Sequence, residues 1–128
     1  MFNFLKRLFW RDRNFGVARS PKWKEIRKEW LLTHPTCAMT GTKKKLNVHH
    51  IQPVWLFPEL ELSPTNFITL SEDKLYGVVP HLFLGHHGNY KDFNLNVVEN
   101  SKMWYNILVN RPDIEQKRKE ILKKIEKV

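Results

Sequence analysis

A chain of 128 residues is long enough for one domain with a modest core. Its 41% hydrophobic and 12% aromatic content is too high for a disordered polymer and sufficient for a packed interior. The formal net charge of +9 favours anionic partners, nucleic acid foremost, and the single cysteine, Cys37, excludes both an internal disulfide and a CxxC-held structural zinc. A chain without disulfides is expected in a reducing, cytoplasmic compartment. Residues 1–18 form a basic, aromatic leading segment. Phe2, Leu5, Leu8 and Phe9 have the spacing of a short amphipathic helix, expected to pack on the domain or stay partly disordered rather than lie on a membrane. Its charges interrupt every apolar run, so neither a membrane-spanning helix nor a signal peptide is expected.

Ser20 and Pro21 form a helix start, because serine can cap and proline suits the first turn. Trp23, Ile26, Trp30 and Leu31 then recur on one helical face, and His34-Pro35 ends the helix. Thr40, Gly41 and Thr42 read as a turn. Residues 46–51 read as a short strand, with Val48 and His50 on one face and His49 on the other. Residues 52–65 contain three prolines and read as a long ordered loop. Residues 66–70 (NFITL) form a second strand, 71–79 a polar connection, and 80–88 a short helix opened by Pro80. Met103, Trp104, Ile107 and Leu108 mark another helical face. Asn110, Arg111 and Pro112 break that helix. A last helix carries Ile114, Ile121, Leu122 and Ile125 at helical spacing, a stripe expected to pack in the core. The fold class is therefore α+β, with two short strands flanked by N-terminal and C-terminal helices.

Charge is unevenly spread. Basic residues crowd the first thirty positions and recur at Lys43, Lys44 and Lys45, whereas residues 46–101 are mildly acidic. Basic flanks thus surround a middle holding five of the six histidines, His49, His50, His81, His86 and His87. Imidazole is both a metal ligand and a base that titrates near neutrality. Adjacent histidines on a strand diverge, so His49 and His50 are expected to do different work. His81 and His86 are five residues apart, and an ideal helix aligns residues four apart, so that helix must distort or end early to bring them together.

The stretches RSPKWKEIRKEWLLTHPTCAMTG, LNVHHIQP, LSPTNFITL and HLFLGHHGNYKDFN give residues 19–100 a resemblance to the HNH endonucleases. The resemblance implies a ββα-metal (His-Me finger) core over 19–100, with 101–128 as a C-terminal helical extension packing on it. It implies that His50 is the general base and that Asn66 holds the loop that orients it. It implies one divalent ion, Mg²⁺, Mn²⁺ or Zn²⁺, held by His49, His81 and His86. Many relatives also carry a four-cysteine zinc site. Here Thr40, Ser71 and the Val79-Pro80 pair stand in place of the later thiols, so no structural zinc is expected, and Trp30, Trp55, Leu56 and Phe67 are expected to hold the loops by packing. His34 is expected to be structural, and His87 an exposed neighbour or phosphate contact.

The function so implied is metal-dependent hydrolysis of phosphodiester bonds in DNA, double-stranded by expectation. Arg19, Lys22, Lys24, Arg27, Lys43, Lys44, Lys45 and Lys91 would contact its phosphates. Asn89 and Tyr90 lie beside Lys91 and could meet the strand being cut. The alternatives are a non-catalytic DNA-binding module on the same scaffold, a toxin-type nuclease domain, and a structural metalloprotein with a closed four-ligand zinc. A chain with Met1 and its own helical tail is expected to be a stand-alone enzyme rather than a toxin domain.

Overall fold

A computed structural model describes residues 19–110 and 114–126 of the chain. The leading segment and its amphipathic pattern lie outside the described residues. The elements run α1 (Trp23–Thr33), β1 (Leu46–His50), β2 (Phe67–Ser71), a single π-type turn (His81–Gly85), α2 (Val97–Asn110) and α3 (Ile114–Glu126). Short 3₁₀ turns at Pro58–Leu60 and Pro64–Asn66 shape the loop between the strands. The fold is a small α+β arrangement built on one antiparallel strand pair.

The helix start is offset from the expected position. The Lys22 amide donates to Ser20 Oγ at 3.2 Å and the Trp23 amide to Ser20 O at 3.0 Å, so Ser20 and Pro21 form a turn that leads into α1. The other end is as expected, since α1 stops at Thr33 before His34-Pro35.

The strands pair Leu46 with Ser71, Val48 with Thr69, His49 with Ile68 and His50 with Phe67. β1 ends one residue before its expected bound, and β2 is shifted one residue along from its expected 66–70. Asn66 stands just before β2, and its carbonyl accepts from the Ile51 amide at 2.8 Å. Because side chains alternate along a strand, this register gives the pair two distinct faces.

One face carries Val48, His50, Phe67 and Thr69 and is covered by α1. Trp23 and Trp30 meet the Phe67 ring edge-on at 5.4 and 5.5 Å. The Trp30 indole N–H donates to Thr69 Oγ1 at 3.0 Å, and that hydroxyl donates to His34 O at 2.9 Å. His34 also stacks on Trp30 with ring centroids 3.5 Å apart, a local structural role that finishes α1.

The opposite face carries the main apolar core. Ile68 and Leu70 pack with Cys37, Met39, Leu84 of the π-type turn and Val97 at the start of α2. Cys37 is buried, and its Sγ accepts from the Ser71 amide at 3.4 Å. Among the residues expected to hold the loops, Leu56 and Phe67 are buried, and Trp30 and Trp55 are half-buried.

The C-terminal stripe departs from expectation. Trp104 packs against the core, but Met103, Ile107, Ile121, Leu122 and Ile125 are exposed. A strand pair only five residues long offers little area, and Leu84 and Val97 already cover its inner face. Among the described residues no helix is long and apolar enough to cross a membrane.

Candidate metal centre

Strand alternation sends His49 and His50 to opposite faces, and each meets a different environment. His50 is buried under the Trp23 ring, 4.6 Å away and tilted, with Phe67 edge-on at 5.4 Å. Its Nε2–H donates to the Glu61 carbonyl at 2.8 Å. A carbonyl can only accept, so the neutral ring carries its lone pair on Nδ1. Burial pushes the His50 pKa down to about 4; the Glu61 carbonyl opposes this, and the Arg19 charge adds to it.

Asn66 organises the loop that supplies that carbonyl. Its buried side chain accepts from the Gln52 amide at 2.8 Å and donates to the Gln52 and Leu60 carbonyls at 2.9 and 3.4 Å. One amide side chain thus ties the loop's start to the residue next to Glu61.

On the other face, His49 meets His81 and His86. The π-type turn between these two resolves their spacing. Hydrogen bonds that reach five residues along widen the turn, so residues five apart come to one side. His49 Nδ1 lies 3.1 Å from His81 Nε2, and His81 Nε2 lies 3.1 Å from His86 Nε2. Gly85 makes room for this, because a Cβ there would stand 2.8 Å from His49 Cε1 and 2.9 Å from Nδ1.

The outer nitrogens of His81 and His86 are already committed. His86 Nδ1 donates to the Asp92 carbonyl at 2.8 Å, and His81 Nδ1 contacts a Glu72 carboxylate oxygen. Both partners are acceptors, so in the neutral rings both Nε2 atoms carry lone pairs that face each other. Burial lowers the His86 pKa. Burial, reinforced by the charges of His81, His86 and His50, lowers that of His49 to about 2. Two facing lone pairs repel unless a cation stands between them.

One ligand atom from each of His49, His81 and His86 lies within 4.8 Å of the others, so the three could hold a metal ion. Neighbouring ligands bound at Zn–N distances are separated by roughly 3.0–3.4 Å, and the two 3.1 Å separations fit that range. His49 Nε2, the ring nitrogen other than the one beside His81, is buried with no hydrogen-bond partner among the described residues.

The expected phosphate contacts are scattered by comparison. Arg19, Lys22, Lys24, Lys43, Lys44, Lys45 and Lys91 are exposed, and Lys45 pairs with Asp73 at 3.8 Å. Arg27 is half-buried and engaged: its Nη2 donates to Asn47 Oδ1 at 3.2 Å and to Leu46 O at 3.4 Å. Tyr90, half-exposed, holds its ring 5.1 Å from that of His86. His87 is exposed with a positive φ of 50°.

Sequence reasoning missed Glu72, Asn47, Trp23 as the cover of His50, and the carbonyls of Glu61 and Asp92. Only Asn47 offered a signal, since strand alternation puts it on the His49 face. Compared with family models, with curated proteins and with solved structures, the chain matches none.

Proposed function

We propose that the chain is a metal-dependent endonuclease that hydrolyses phosphodiester bonds in DNA from an HNH-type ββα-metal site. The observation that carries this reading is the pairing of two features across one strand. Three imidazoles each bring a ring nitrogen together on one side, and a buried neutral imidazole stands on the other. In this reading β1, β2 and the π-type turn form the ββα unit, and its third element is a single wide turn rather than a regular helix.

His49, His81 and His86 would hold one divalent ion, which when bound would neutralise charge on the phosphoryl and leaving oxygens. Three protein ligands leave positions for phosphate and water, which favours catalysis over a closed structural site. The ion's identity stays among Mg²⁺, Mn²⁺ and Zn²⁺, with the imidazole set leaning towards zinc.

His50 takes the proton from the attacking water on Nδ1, while Nε2 stays anchored to Glu61 O. Such a base is typically worth about 10²–10⁴-fold. Asn66 keeps that anchor in place through Gln52 and Leu60. The exposed cations Arg19, Lys22 and Lys24, at the N-terminal end of α1, would position the phosphate backbone beside His50.

Plasmid cleavage with each divalent ion, comparing the wild type with His50→Ala, tests the reading. The variant should bind metal normally and cut about 10²–10⁴-fold more slowly. Equal rates would remove His50 as the base. DNA binding without cleavage under every metal would favour a non-catalytic binding module.

A further inference from the structure

Glu72 has no part in the roles described so far, yet it touches the metal centre. It is the first residue beyond β2, and its amide continues the ladder by donating to Lys45 O at 2.8 Å. The register places it on the same face as Asn47 and His49. Its Oε1 contacts His81 Nδ1 and also accepts from Asn47 Nδ2 at 3.3 Å. Asn47 is fixed in turn, because its Oδ1 accepts from the Val48 amide at 2.9 Å and from Arg27 Nη2 at 3.2 Å. A chain of hydrogen bonds therefore runs from α1 through Arg27, Asn47 and Glu72 to His81.

The end of that chain bears on ligation. Which nitrogen of an imidazole carries the proton is set by the hydrogen bond that the other nitrogen makes. Nδ1 of His81 is the nitrogen remote from the cluster, and Nε2 is the one beside His86. A carboxylate at Nδ1 draws the proton there and frees the Nε2 lone pair. Without it, His81 could carry its proton on Nε2, pointing a donor into the space where a ligand is needed. The same contact fixes the ring's rotation.

We propose that Glu72, braced by Asn47 and Arg27, is a positioning residue of the metal centre: it holds His81 in the Nδ1–H tautomer that presents Nε2 to the metal. This rests on the metal-site reading above. It also gives Arg27 a structural task in place of the phosphate contact expected from sequence.

Two measurements on the full chain test it. Long-range ¹H–¹⁵N spectra of the metal-free protein report the His81 tautomer, and Co²⁺ titration followed by visible absorption reports ligation. The wild type should show Nδ1–H. Glu72→Ala should shift His81 towards the other tautomer, alter the Co²⁺ spectrum and weaken Co²⁺ binding about 10–100-fold, the usual effect of losing such a support. Glu72→Gln, whose amide oxygen still accepts from Nδ1–H, should recover the tautomer and most of the affinity. Glu72 lies at a strand end and its side chain is about a third exposed, so neither change opens the core. Wild-type tautomer and affinity in Glu72→Ala would overturn the proposal. A wild type that binds no Co²⁺ would instead overturn the metal centre, and the tautomer measurement would still decide whether Glu72 orients His81.

Discussion

At the scale of single residues, the candidate metal centre depends on an atom that is missing. Gly85 does not need glycine for its backbone, since its φ lies outside the positive range. It needs glycine because the His49 ring occupies the space of a Cβ. Gly85→Ala should therefore push the ring aside and weaken Co²⁺ binding, while the fold loses about 1–3 kcal/mol through overpacking. Co²⁺ titration beside urea denaturation separates the two effects, and unchanged affinity would mean that His49 is not a ligand. Gly85 was not legible as a site residue, because nothing in a sequence says which ring will lie against a glycine. The divergence of His49 and His50 was legible, since alternation along a strand needs no tertiary information. Glu72 was not: a carboxylate in a polar connection looks solvent-facing, and only the register brings it beside Asn47 and His81. A slip of one residue would turn it to the other face.

At the scale of elements, Asn66 is the clasp of the loop between the strands. It satisfies one amide and two carbonyls from a buried position. Asn66→Ala should strand those groups and cost about 1–3 kcal/mol, read as a lower urea midpoint at unchanged slope. Asn66→Asp should be worse, because it sets a carboxylate oxygen against the Gln52 and Leu60 carbonyls. If both variants match the wild type in stability and in the His50 environment, the loop is held by other contacts. Apolar periodicity made α1 and α2 legible, and β-branched and aromatic residues did the same for β2. The π-type turn was foreseen only as a distortion, because five residues set no period. The exposed α3 stripe marks a different limit: an amphipathic pattern identifies an apolar face without saying what covers it.

At the scale of the whole molecule, the two faces of one strand pair bury two imidazoles in the neutral state, and this links stability to pH. In the unfolded chain each histidine takes a proton near the ordinary value of 6.5, whereas in the folded protein His50 waits until about 4 and His49 until about 2. Between the unfolded and folded values the unfolded state binds more protons, so stability rises with pH. The contribution is fully present above about 6.5 and is lost as pH falls through that window towards the folded values. For His50 alone the depression is worth on the order of 3 kcal/mol. Urea midpoints of the metal-free protein should therefore drop steadily from about pH 7 to about pH 5. His50→Gln should flatten part of that slope, because one of the groups whose protonation is suppressed is gone. Metal should steepen it, since protons and metal compete for the same lone pairs on His49, His81 and His86. A flat stability profile across that range would mean that these imidazoles are not held neutral. In the proposed mechanism cleavage should fail in acid, because protons compete with the metal for the ligand lone pairs. The acid limb of the rate profile should then move with metal concentration, which a limb set by the base alone would not do.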